Sequence, residues 1–136
     1  MIRVVADTNV LISAIMFGGL PGTFLELALR GSLSLVASAV LLDELNEKLR
    51  FKFQVSAEDA SAMRSKLESV AELVTPITAL HVVHDDRDDN RVLECAIEGR
   101  ANFVVSGDRH LLKLASYESI PIMTVRQFVD LGGFAS

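Results

Sequence analysis

The chain has 136 residues, half of them hydrophobic, with a net charge of −5 and one cysteine. That length suits a single core of ordinary domain size. No apolar run reaches the ~18 residues that span a bilayer, and the negative charge excludes a protein that grips nucleic acid through a broadly basic surface. A lone cysteine, Cys95, forms no internal disulfide, which points to a reducing cytoplasm. Asp7 and Asn9 interrupt the apolar stretch that a secretory leader needs, so none is expected.

Repeats, low-complexity tracts and linkers are absent, and residues 1–136 read as one domain. Apolar runs alternate with amphipathic ones, the pattern of α/β layering. Residues 2–6, with β-branched Val4 and Val5, read as a strand. Asp7 and Asn9 suit a helix start, and 9–17 reads as a helix buried on most sides. Gly18-Gly19 breaks it, Pro21 suits the first turn of a second helix, read as 23–30, and Gly31 closes it. A strand at 33–37 leads to Ser38, the cap of a helix running to about Arg50. Ser56 caps another helix, whose Ala60, Met63, Leu67, Val70 and Ala71 recur at helical spacing, and Pro76 marks its end. A short strand is expected at 80–83, then a helix to about Gly99, a clear strand at 103–106 and a short helix to Leu114. The last elements are a strand at 121–124 and a helix at 125–131.

The acids fall at telling places. Asp7 ends the first strand and Asp108 follows the strand at 103–106, and parallel strands bring such ends to one edge of a sheet, where ligands bind. Asp89 shares a helix face with Val92, Leu93 and Ala96, the face expected to be buried, with Asn90, Arg91, Glu94 and Glu98 on the other. A carboxylate turned to the core is costly unless it is paired or holds a metal. Asp85 reads as a solvated acid at the helix start, where the dipole favours it, whereas Asp86 and Asp88 flank Asp89 closely. Leu41, Leu42, Leu45 and Leu49 define the apolar face of the helix after Ser38, and Glu44 lies at its edge. Singly, Asp7 and Asp108 also suit plain helix caps and Glu44 a half-exposed helical acid. Together, acids from separate segments at one sheet edge repel each other, and a divalent cation is the usual way to keep them ionised. Oxygen-only ligation favours Mg²⁺ or Mn²⁺ over zinc. Arg109, His110 and Lys113 follow Asp108 and suit either substrate phosphates or a solvated helix face.

Four segments carry a resemblance to a known family: Val5-Ala6-Asp7-Thr8-Asn9-Val10-Leu11, Leu42-Asp43-Glu44-Leu45, Asp88-Asp89-Asn90-Arg91-Val92-Leu93-Glu94-Cys95-Ala96, and Val105-Ser106-Gly107-Asp108-Arg109-His110-Leu111-Leu112. Each is weak alone, but the ordered set, spread over nearly the whole chain, resembles the PIN-domain ribonucleases, which include many toxins of bacterial and archaeal toxin–antitoxin pairs. The resemblance implies a three-layer α/β sandwich around a mostly parallel five-stranded sheet. It implies that Asp7, Glu44, Asp89 and Asp108 are catalytic and hold one or two Mg²⁺ or Mn²⁺ ions, with Asn9 and Ser106 as supporting polar residues. Many relatives carry Thr before the fourth acid; Ser106-Gly107-Asp108 keeps the hydroxyl. Asp86 stands where close relatives also carry an acid. An RNA substrate, an antitoxin partner and a homodimer are implied as well.

Two alternatives are weighed against this. A haloacid-dehalogenase-like phosphatase also places Asp after its first strand, but it wants a second Asp where Asn9 stands. A non-catalytic interaction module with a vestigial acidic site sits poorly with four retained acids. Ile15, Met16, Phe17, Leu20, Phe24, Leu25, Leu27, Ala28 and Leu29 crowd the first two helices, and Phe51 and Phe53 flank Lys52 as if to point one way. Some of these are expected to lie under a second chain.

Overall fold

The computed structural model describes residues 1–83 and 87–132, with the Arg87 side chain not described. In chain order the elements are β1 (Arg3–Ala6), α1 (Thr8–Met16), α2 (Gly19–Leu29), β2 (Ser34–Ser38), α3 (Ala39–Phe51), α4 (Ala57–Val70) and β3 (Glu72–Val74). They continue as α5 (Arg87–Glu98), β4 (Phe103–Val105), α6 (Arg109–Leu114), β5 (Ser116–Tyr117), β6 (Ile120–Met123) and α7 (Val125–Asp130).

The strands form one sheet in the order β3-β2-β1-β4-β6-β5, parallel except for β5 against β6. Period-2 alternation along β1, β2 and β4 splits their side chains between two cores. Val4, Ala6, Leu35, Ala37 and Val105 pack with α1, α2, α3 and α7 on one face. Val5, Val36 and Val104 pack with α5 and Leu111 of α6 on the other. The result is the expected three-layer α/β sandwich with a mostly parallel sheet.

The sheet has six strands rather than five, and two departures account for the difference from expectation. The segment 80–83 is not a strand. Side chains of α5 take its backbone groups instead: Leu80 N–H donates to Glu94 Oε2, and Val83 exchanges two hydrogen bonds with the Asn90 amide. Asn90 and Glu94 are therefore buried, not on an outer face, because this segment covers them. The edge position goes to β3, which pairs through Glu72, Leu73 and Val74 with β2. A hairpin adds β5, turning at Glu118 and Ser119, both at positive φ.

No single helix among the described residues is long and apolar enough to cross a membrane. The axes of α1 and α2 meet at 101°. Gly18 (φ 76°) and Gly19 (φ 62°) make this corner, in a backbone region that side chains resist. α2 therefore starts at Gly19, earlier than its sequence signals, and Pro21 sits in its first turn.

Much of the apolar excess of the early helices is absorbed within the chain, while Phe17 is 75% exposed. Phe24, Leu25, Leu27 and Ala28 are buried against their own sheet and α7, so Phe24 is no interface residue. Phe53 also packs on the core, whereas Phe51 is exposed: α3 runs on through Phe51, so the two rings do not share one side as they would along an extended segment.

Gly99 marks the tightest contact between layers. A Cβ there would stand 2.3 Å from Val36 Cγ1 and 3.1 Å from the Cys95 carbonyl. Gly99→Ala is expected to push α5 off β2 and cost about 1–3 kcal/mol, the usual range for overpacking. Chemical denaturation reads this directly, and an unchanged midpoint would show that the layers can slide apart cheaply.

Candidate active site

Chain order reverses about β1, which pairs with β2 on one side and β4 on the other. Ligand crevices of open parallel sheets form at such a switch, beyond the carboxyl ends of the strands. Asp7 leaves β1 at this point, its N–H bonded to the Val105 carbonyl of β4 at 3.0 Å. It is the N-cap of α1: Oδ1 accepts from the N–H groups of Asn9 (2.7 Å) and Val10 (3.2 Å). Its other oxygen accepts from the Ser106 hydroxyl. That hydroxyl in turn accepts from the Asp108 N–H at 2.9 Å, so one fully buried serine ties the two strand-end acids together. Asp108 caps α6, with Oδ1 accepting from His110 N–H (2.7 Å) and Leu111 N–H (3.4 Å).

Asp89, in the first turn of α5, is buried and its side chain hydrogen-bonds Asp108. Glu44 leans in from α3, half-buried, with Oε1 at 2.9 Å from the Lys48 ammonium, and also hydrogen-bonds Asp88. A small cavity of about 20 Å³ lies between α1, α3 and α5, lined by Asp7, Thr8, Asn9, Glu44, Lys48, Asp88, Asp89 and Val92. It has room for roughly one water or a small ion. Asn9 is exposed at its rim. Asp86 lies outside the described residues, as do His84 and Asp85.

Two open grooves flank the cavity. One, of about 650 Å³, runs along α3 past Val40, Glu47, Phe51 and Lys52, sharing Glu44, Lys48 and Asp88 with it. The other, of about 590 Å³, is lined by Asn9, Ser106, Asp108, Arg109, Thr124 and Arg126, among others. Arg109 lines this second groove; His110 does not, but its charge helps hold Asp108 ionised. Lys113 is exposed on α6.

The electrostatics separate the acids. Burial pushes the Asp7 carboxyl above its ordinary range, with the Asp108 charge adding to this, against the opposing hydrogen bonds from Ser106, Val10 and Asn9. Burial also raises Glu44, helped by Asp88 and opposed by Lys48. Burial would raise Asp108 too, but the His110 N–H, Asp89, the Leu111 N–H and the His110 charge outweigh it and hold Asp108 below its ordinary range. Burial would lower Lys48, yet the hydrogen bond and charge of Glu44, with the charges of Asp88 and Asp7, leave it raised.

The donors are all carboxylate oxygens, which suit a hard divalent cation and not a thiophilic one. In position they stand as pairs, Asp89 with Asp108 and Glu44 with Asp88. Among the described residues, no group of three or more His, Cys, Asp or Glu side chains is arranged to hold a metal ion as it stands. Cys95 takes no part. It lies on the core side of α5, and burial pushes its thiol up to about 12.

Sequence reasoning passed over two members of this region. Lys48 sits one turn after Glu44 and reads as a surface pair; its role needs the α3–α5 packing. Arg126 reaches the groove beside Asp108 only because β6 pairs with β4, which brings the start of α7 alongside.

The PIN domain family matches residues 3–110. Among solved structures, the chain is similar to VapBC2 from Rickettsia felis bound to a DNA fragment from their promoter, with a TM-score of 0.62 and 15% identity over 89% of this chain and 97% of that one. It is also similar to PAE2754 from Pyrobaculum aerophilum, with a TM-score of 0.60 and 16% identity over 96% of this chain and 89% of that one. No curated protein matches it.

Proposed function

From a chain that belongs to the PIN-domain family, we propose a Mg²⁺- or Mn²⁺-dependent endoribonuclease that hydrolyses RNA phosphodiester bonds, the toxin of a cytoplasmic toxin–antitoxin pair. One observation carries the reading: Asp7, Glu44 and Asp89 line one small cavity at the β1–β4 switch, with Asp108 hydrogen-bonded to Asp89. Helix capping accounts for Asp7 and Asp108 singly, but it does not account for Asp89, buried in the same place, or for Glu44 turned into the same cavity.

In this reading Asp7, Glu44, Asp89 and Asp108 hold one or two ions. The bound metal would ionise water near neutral pH and neutralise charge on the departing oxygen. The chain's own residues do the rest. Ser106 fixes Asp7 and the Asp108 loop in one frame. Asn9, at the rim between the cavity and the second groove, meets the substrate there. Arg109 and Arg126 receive phosphates of the strand flanking the cut, the role to which a planar guanidinium is suited. These local cations answer the difficulty posed by a chain of net charge −5. A homodimer and an antitoxin belong to the same proposal. The groove along α3, with exposed Val40 and Phe51, is the place where an antitoxin segment would reach the acids.

The test is cleavage of mixed RNAs by purified protein. Cleavage is expected with Mn²⁺ or Mg²⁺ and not with EDTA, and Arg109→Ala with Arg126→Ala is expected to raise KM about tenfold or more with kcat little changed, since phosphate contacts position the strand. Absence of any metal-dependent cleavage at micromolar enzyme would overturn the reading.

A further inference from the structure

Lys48 is the one cationic side chain lining the acidic cavity among the described residues. It lies one helical turn after Glu44, and its Nζ is 2.9 Å from Glu44 Oε1. An i,i+4 pair on an exposed helix face would contribute little and need no further account. This pair differs in three respects. The Glu44 side chain is only 15% exposed and that of Lys48 28%. The ammonium interacts by charge with two more acids from other elements, Asp88 of α5 and Asp7 after β1. And Lys48 lines both the cavity and the open groove beside it.

We propose that Lys48 is a built-in counter-ion of the acidic cavity, which the divalent metal must displace from Glu44 on binding. In the metal-free protein its ammonium supplies positive charge among carboxylates that would otherwise repel. When a metal enters, Glu44 changes partner, and Lys48 moves its charge into the groove it already lines. Metal binding is then an exchange of cations, weaker than the acids alone would give. The inference rests on the reading that these acids hold metal, but its readout needs no RNA.

The experiment titrates Mn²⁺ alone, by calorimetry or by paramagnetic resonance of unbound Mn²⁺, into wild type, Lys48→Met and Lys48→Arg at one ionic strength. Removing a positive charge a few ångströms from a divalent ion is expected to tighten binding roughly tenfold or more. Lys48→Met is expected to melt lower than wild type without metal and to gain more from Mn²⁺. Lys48→Arg keeps the charge and is expected to stay within about threefold of wild-type affinity. Should Lys48→Met fail to fold, Lys48→Gln gives the neutral case. Unchanged or weaker Mn²⁺ binding by the neutral variants overturns the exchange while leaving RNA cleavage by wild type intact. Tighter binding by the neutral variants, in a protein that cuts no RNA, upholds the exchange and sinks the ribonuclease reading instead. No Mn²⁺ binding by any of them overturns the exchange.

Discussion

Asp7→Asn is expected to reduce metal-dependent RNA cleavage by more than about a hundredfold, beyond the usual cost of losing a residue that merely supports a ligand, while leaving the metal-free protein as stable as wild type or more so. The two halves of the result have separate causes. The amide oxygen keeps the capping bonds from the Asn9 and Val10 N–H groups, and the amide nitrogen can donate to the Ser106 hydroxyl. What is lost is a charge that burial, and then Asp108, already make costly. The pH dependence follows with a definite sign. A carboxyl whose folded pKa is raised contributes stability that is complete below its unfolded value, near 3.8 for Asp7, and lost as pH rises through the folded value. Glu44 acts in the same direction from its own ordinary value of 4.5, and Asp108, held low, acts in the opposite one. Metal-free wild type should therefore lose more stability than Asp7→Asn as pH is raised from about 4 towards neutrality. Thermal melts of both proteins in EDTA, with cleavage assays beside them, check this. A variant that cuts RNA at the wild-type rate removes Asp7 from the chemistry, and one that melts well below wild type at pH 7 refutes the account of its burial.

Phe24→Ala is expected to have the largest effect on folding. Phe24 is fully buried, edge-to-face with Phe128 at 5.6 Å, and Phe128 stands in the same relation to Phe103 at 5.7 Å. These rings fasten α2 and α7 to the sheet. Truncation leaves a cavity at the α2 end of the row and should cost about 3–5 kcal/mol, lowering Tm by on the order of 10–20 °C for a chain of this size. The loss should be the same at every protein concentration, because the ring is covered by its own chain. A Tm that depends on concentration in wild type and not in the variant would return Phe24 to an interface.

The layering, the parallel core strands and the strand-end placement of Asp7 and Asp108 are legible in the sequence because each depends on local pattern. A β-branched run that stops at a capping acid states its own geometry. What was not legible depends on side chains reaching across the fold. Residues 80–83 have the composition of a strand as much as Glu72, Leu73 and Val74 do; Asn90 and Glu94 of α5 decide between them by taking up the 80–83 backbone. The same bonds place Asn90 and Glu94 on a buried face that helical periodicity assigns to solvent. In the site, the acids could be recognised by where they fall along the chain, but Lys48 and Arg126 could not. One looks like half of a surface pair, and the other lies 18 residues beyond Asp108, brought back only by the β4–β6 ladder.

The two outermost strands bear on how this protein can associate. β3 is three residues long and carries Glu72, tied to Arg3 by an ion pair, while β5 is two residues of a hairpin folded back on β6. Short, charged or folded-back borders give an incoming strand little backbone to pair with. Growth of the sheet from one molecule into the next is thereby discouraged at both ends. The partners proposed above, a second copy or an antitoxin, would then be received on the helical flanks, through side chains, where the match between surfaces can discriminate a cognate partner from a generic extended peptide.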